Sequence, residues 1–120
     1  MSITVRKRDD VSLIDVEDPI GYTMAVKLNT VLDQLIQKEA ARKIVINMSR
    51  VNFIYSKGLG VLANGFKIVR KNDGDLKLYG LQSQVKELFF LTKLDNVFDI
   101  YENEEQALES FSPKGDSDTA

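Results

Sequence analysis

The stretch Lys43-Ile-Val-Ile-Asn-Met-Ser-Arg-Val-Asn-Phe-Ile-Tyr-Ser-Lys-Gly-Leu-Gly-Val-Leu62 decides how this chain folds, because it runs from a strand through a loop into a helix. Lys43 to Asn47 is a short apolar run rich in β-branched residues, the pattern of a central strand buried on both faces. From Leu59 the apolar spacing becomes helical, with Leu62, Phe66 and Val69 on the same face. Asn72-Asp-Gly74 then supplies residues that end helices and make turns. The helix therefore starts close to Ser56. Backbone N–H groups and the positive end of the helix dipole meet at that start, which suits a phosphate, bound or covalently attached.

Upstream, Ile3 and Val5, then Val11, Leu13 and Val16, place apolar residues in two short segments around the charged Arg6 to Asp10, which predicts an antiparallel pair at a sheet edge. Pro19 and Gly21 interrupt this, and Ala25, Leu28, Leu32 and Leu35 mark a helix from Tyr22 to near Lys38. Downstream, Asp75 to Tyr79 alternates as a strand, Ser83 is placed to cap a helix carrying Val85, Leu88 and Phe89, Phe98 to Tyr101 reads as a last short strand, and a helix follows from about Glu104 to Phe111. Residues 112–120 carry little to bury and are expected to be a disordered tail. Strands alternating with helices predict an α/β fold, a mixed sheet of about five strands, largely parallel after the opening antiparallel pair, with about four helices packed on it. Residues 1–111 form the single domain.

The chain has 120 residues, 43% hydrophobic and 28% charged, without cysteine or histidine. Those two absences remove thiol nucleophiles, thiolate zinc sites, imidazole bases and disulfides. The balance of 16 basic and 18 acidic residues, a net charge of -2, encodes no general attraction to nucleic acid or to anionic membranes. The start of the chain lacks the apolar stretch of a signal peptide, and no run reaches the length of a membrane span. A cytoplasmic location is expected.

Several residues carry two readings. Ser56 reads first as a helix cap and second as a regulated phosphoacceptor whose new charge would alter the helix end. Gly58-Leu-Gly60 lacks the spacing of either nucleotide loop and is assigned to close helix packing; Gly65, inside the same helix, is read as a close helix contact. Asp9, Asp10, Asp15, Glu17 and Asp18, with no basic partner in view, are taken as solvated edges and turns rather than a metal or acid/base site. Phe89-Phe-Leu91 is assigned to core packing, with exposure of Phe90 or Leu91 to a partner as the second reading. Lys67, Arg70 and Lys71 form a solvated face that a partner could also read.

With these residues in hand, the chain resembles the STAS family, whose best-known members are bacterial anti-sigma factor antagonists. The resemblance spans nearly all of residues 1–111 and centres on Ile44 to Ile54 followed by Ser56-Lys-Gly-Leu-Gly-Val-Leu62, similar to the family's strand, turn and Asp-Ser-Ser-Gly-Leu-Gly. Asn72 to Leu78, Val85 to Phe89, Leu94 to Phe98 and Glu104 to Leu108 add to it. The resemblance implies a module that binds an anti-sigma factor or serine kinase of the switch-protein type, and is released when the second serine of the motif is phosphorylated. Tyr55, Ser56 and Lys57 occupy the Asp-Ser-Ser positions, so the usual acceptor is a lysine. The family's Gly-Glu-Leu-Asp stretch reads Glu17-Asp-Pro-Ile20, with Ile20 at the aspartate position.

The expected function is therefore an anti-sigma factor antagonist-like regulator, not an enzyme, acting by partner switching through Tyr22, Asn52, Tyr55, Ser56, Lys57, Gly58, Leu59 and Lys67, with Ser56 as the remaining phosphorylation candidate. The alternative is a STAS scaffold or subunit, not phosphorylatable, that binds its partner constitutively. No cofactor and no metal is expected, the partner is a protein and not nucleic acid, no membrane insertion is expected, and a homodimer is left open. Nucleotide hydrolysis is set aside for want of a metal-ligand set, a general base or a phosphate-binding lysine motif.

Overall fold

The computed structural model describes residues 2–111. The opening strands β1 (Ser2–Arg8) and β2 (Val11–Glu17) pair antiparallel from Ser2↔Glu17 to Arg8↔Val11. Asp9 turns the chain between them in the left-handed region at φ 56°, a conformation that Asp tolerates better than most residues. Helix α1 (Tyr22–Asp33) continues into a wider π-helical turn, Gln34–Lys38. This is followed by β3 (Lys43–Arg50), α2 (Ser56–Lys71), β4 (Asp75–Tyr79), α3 (Ser83–Leu91), the short strand β5 (Ile100–Tyr101) and α4 (Glu104–Glu109). The strands lie in the order β1-β2-β3-β4-β5, parallel from β2 onward. This is the mixed sheet with four α-helices that the sequence predicts.

The expectation for the central strand holds residue by residue. Ile44, Ile46 and Met48 face the larger core with α1, α2 and α3, while Val45 faces the smaller one, and all four have 0% exposure. The larger core joins them to Leu28 and Leu32 of α1, Leu62 and Val69 of α2, Leu76 and Leu78 of β4, and Val85 and Phe89 of α3. On the other face α4 lays Ala107, with Leu108 and Phe111 beside it, over Val11, Leu13, Val45 and Tyr79. Burial on both faces is why β3 reads as an unbroken apolar run.

Four local expectations are corrected. Ser83 is the first residue of α3 and not its cap; Gln82 precedes it and reaches across to donate from Nε2 to the Ser49 carbonyl at 2.9 Å. The last strand is only Ile100–Tyr101, because Phe98 is drawn into the core, 5.0 Å from the Phe66 ring and 5.9 Å from Phe89 between centroids. A 3-10 turn at Leu94–Asn96, entered through Lys93 at φ 63°, makes that inward step. Helix α4 ends at Glu109, before Phe111; Asn103 caps its start by accepting from the Gln106 N–H at 2.9 Å. Finally, Phe90 and Leu91 are both 68% exposed, so core packing claims only Phe89 of that trio. The expected disordered tail, 112–120, lies outside the described residues.

Two of the acidic residues at the opening strands, Asp10 and Asp15, do have basic partners, contrary to the sequence reading, Lys43 standing 2.8 Å from Asp10. Arg6 reaches Asp15 with Nε at 2.6 Å and Nη2 at 3.0 Å, and Glu104 of α4 with Nη2 at 2.8 Å. Arg8 adds a bond to Glu104 and one to Glu105, each 2.8 Å, while Tyr79 donates to Glu104 at 3.0 Å and Asn47 to Asp15 at 2.8 Å. Hydrogen bonds from Arg6 lower the pKa of Asp15 and, with Arg8 and Tyr79, bring Glu104 down to about 2. Burial and the neighbouring Glu104 push Tyr79 up to about 12. These carboxylates are held ionised, so the cluster binds α4 to the sheet and offers no carboxylic acid for proton donation near neutral pH.

Candidate functional site

The β3-to-α2 junction is built by joining two loops. Ile20, in the loop after β2, and Ile54, in the loop after β3, form a parallel bridge, with the Ile20 N–H bonded to the Phe53 carbonyl at 2.9 Å and the Tyr55 N–H to the Ile20 carbonyl at 3.0 Å. Both isoleucines are buried, at 0% and 1% exposure. An apolar side chain at position 20 suits this place, where an unpaired carboxylate would meet a large desolvation cost.

That bridge keeps Tyr55 extended, at φ −91° and ψ 169°, so Tyr55 occupies the cap position and Ser56 is the first helical residue. The capping role predicted for Ser56 is therefore corrected: the cap makes no side-chain bond, and the exposed Ser56 hydroxyl has no hydrogen-bond partner among the described residues. Gly58 is locked beneath this turn. A Cβ there would lie 2.6 Å from Ile20 Cγ2, 2.9 Å from Ile54 Cγ2 and 3.0 Å from the Ile20 carbonyl oxygen. The packing assigned to Gly58 holds, and so does that of Gly65, whose Cβ would stand 2.8 Å from Leu32 Cδ1. Gly60 departs from it, with nothing within 4 Å.

Above the buried pair sits an exposed aromatic cluster. Phe53 and Tyr55 meet edge-on at 4.8 Å between centroids, projecting on either side of the inward-pointing Ile54. Tyr22, at the start of α1, is 70% exposed, Tyr55 56% and Phe53 41%. The Lys57 ammonium stands 5.8 Å from the Tyr22 ring centre, and Lys57 makes no ion pair among the described residues. A cation beside that ring is favourable, which offsets the repulsion from the helix dipole. Asn52, Tyr55, Ser56 and Lys57 are thus gathered at one exposed pole with Tyr22. Gly58 is buried and Leu59 half-buried against the core, so both support this pole from beneath. Lys67 is exposed on α2 but about 15 Å along the helix from Lys57, at 1.5 Å per residue.

Phe53 was missed by the sequence reading, although its alternation with Tyr55 around Ile54 was the available signal. Also missed was a groove of about 440 Å³ between the helices, lined by Val26, Asn29 and Thr30 of α1 and by Ser56, Lys57, Gly60, Val61 and Asn64 of α2. No group of three or more Asp and Glu among the described residues is placed to hold a metal ion, and no helix among them is long and apolar enough to cross a membrane. What this pole offers, among the described residues, is shape, aromatic surface, the Lys57 cation and the Ser56 hydroxyl.

The STAS domain family model matches residues 2–107. The sequence is 31% identical over 101 residues to the anti-sigma-B factor antagonist of Listeria monocytogenes, covering 83% of this chain and 88% of that protein. It is 22% identical over 108 residues to the anti-sigma F factor antagonist of Paenibacillus polymyxa, covering 90% and 92%. Among solved structures, an anti-sigma factor antagonist from Mycobacterium paratuberculosis superposes with a TM-score of 0.82 at 26% identity, over 91% of this chain and 92% of that one.

Proposed function

This chain belongs to the STAS domain family, and we propose that it is an anti-sigma factor antagonist that binds an anti-sigma factor of the serine-kinase type and so frees a sigma factor. The supporting observation is the exposed pole at the start of α2, where Tyr22, Phe53 and Tyr55 are exposed and the Lys57 ammonium, without an ion-pair partner among the described residues, stands 5.8 Å from the Tyr22 ring centre. Aromatic residues supply large contact area at low entropic cost and recur where proteins bind tightly. Asn52 and Ser56 add polar contacts at the rim, and Lys67 extends the face along α2. The protein acts by binding and not by catalysis, in the cytoplasm where sigma factors work.

Regulation in this protein passes to Ser56. Its hydroxyl is exposed and, among the described residues, unengaged, at the first position of a helix whose first N–H groups favour an anion. Lys57, in the position of the usual acceptor, carries no hydroxyl and would stand beside the new phosphate as its counter-charge. The presence of Lys57 also favours a second reading, in which no kinase acts on this pole and the partner is held constitutively.

Intact mass after incubation with ATP and the anti-sigma kinases of the protein's own source, with Ser56→Ala alongside, separates the two. A single phosphate gained by the native chain and absent from the variant supports the displaced switch. Retained kinase binding with no mass gain supports the constitutive module, and loss of both defeats the antagonist reading.

A further inference from the structure

Gly60 lies inside α2, where glycine costs stability relative to alanine, yet no neighbour among the described residues requires it: an added Cβ would meet none of them within 4 Å. Gly58 and Gly65 on the same helix are each crowded, by Ile20 with Ile54 and by Leu32. Lys57, Gly60, Val61 and Asn64 fall at helical spacing on one stripe and line the groove against α1. Asn29 and Asn64 continue it into a narrower hollow of about 100 Å³ bounded by Asp33, Gln37 and Gly65. The floor is thus low at Gly60 and mixed in character, with Asn29, Asn64 and Gln37 beside Val26, Val61 and Leu32.

Charge is distributed unevenly over this surface. Helices α1 and α2 carry five basic residues, Lys27, Lys57, Lys67, Arg70 and Lys71, against the single acid Asp33. Their net charge of +4 stands against -2 for the whole chain, so the remainder carries -6. Among the described residues only Arg70 of these five meets a carboxylate, Asp75 at 3.6 Å. Four lysines therefore stand without counter-charges on a surface whose chain is otherwise acidic.

We infer that the α1/α2 groove receives an acidic helix of the protein partner, whose backbone passes over Gly60 while its carboxylates meet Lys57 at one end and Lys67 and Lys71 at the other. A third helix lying on two others approaches to about 8–10 Å between axes, the close end of that range being reached where the contact residues are small. Gly60 and Asn64 create such a place, and the span from Lys57 to Lys71 is about four helical turns. The inference rests on the antagonist reading and names the chemistry of the segment that docks.

Gly60→Ala is the decisive variant, since it fills open space in a helix. Its melting temperature is expected to rise by about 3–6 °C, while affinity for the anti-sigma kinase that the native full-length chain binds falls at least about 10-fold; Gly60→Gln lowers it further. Raising NaCl from about 0.05 to 0.5 M weakens native binding by about 10-fold. A stabilised Gly60→Ala protein that binds with native affinity would overturn the inference and leave the antagonist reading intact. Binding insensitive to salt would do the same. If the native chain binds no such kinase, the antagonist reading falls and this inference with it. Binding of duplex DNA by the native chain as tight as its binding of the kinase, and unweakened in Gly60→Ala, would overturn the inference in favour of a general anion surface.

Discussion

Two glycines two residues apart on one helix do opposite things, and the difference lies in what a single carbon would touch. At Gly58 the neighbours include the Ile20 backbone oxygen, 3.0 Å from the position of a Cβ, so a methyl group cannot be accommodated by turning a side chain alone. Gly58→Ala is expected to cost about 1–3 kcal/mol through overpacking, measured as a lowered midpoint in urea at unchanged slope. A variant as stable as the native chain would show that the two loops yield more easily than their bridge implies. Lys57 makes the same point about local context. An ammonium at a helix start is unfavourable taken alone, and the Tyr22 ring 5.8 Å away gives it a favourable neighbour.

Among the elements, α4 is the one whose place depends most on charge. Six residues long, it is too short to hold itself as an isolated helix, and Ala107 with Leu108 and Phe111 supplies its apolar contact. Glu104 ties its first turn to Arg6 and Arg8 of β1 and to Tyr79 of β4. The folded pKa of Glu104 is depressed, from 4.5 to about 2, so its contribution is full above the unfolded value and is lost as pH falls from about 4.5 to 2. Glu104→Gln is expected to remove on the order of 1–2 kcal/mol at neutral pH, the value being discounted for partial solvent screening, and to flatten the acid limb of the stability curve. Identical acid limbs for variant and native proteins in thermal melts between pH 2 and 6 would refute the clamp.

Across the whole molecule, stability centres on the middle of the sheet, where β3 lies between β2 and β4 and all three contribute buried side chains to both cores. Amides of Ile44 to Met48 are expected to exchange slowest with deuterium, close to the global unfolding free energy, and those of β1, at the sheet edge, faster. Ile46→Ala is expected to cost about 2–5 kcal/mol and to speed exchange throughout the sheet. Faster exchange confined to β3 would show that the two cores unfold separately. The same architecture separates the two faces: α4 and its ion pairs close one side of the sheet, while α1 and α2 cover the other and leave the turn before α2 exposed, the surface proposed to meet a partner.

Much of this was legible in the chain itself. The apolar run at Lys43 to Asn47, the helical spacing of Leu59 to Val69 and the alternation in Asp75 to Tyr79 are repeats set by backbone geometry, so they announced the elements and a mixed sheet. The resemblance carried by Ser56 to Leu62 pointed to the pole proposed to bind the partner. Tertiary structure decided what depends on residues far apart in sequence. Arg6 finds Glu104 only because the fold brings β1 beside α4, Ser56 loses the cap to Tyr55 because Ile20 bridges Ile54, and Phe98 leaves the strand because Phe66 and Phe89 wait in the core. Nor could the string Gly-Leu-Gly say which glycine is crowded. Periodicity is a property of neighbours along the chain, whereas a pairing or an empty space depends on which distant segment arrives beside it.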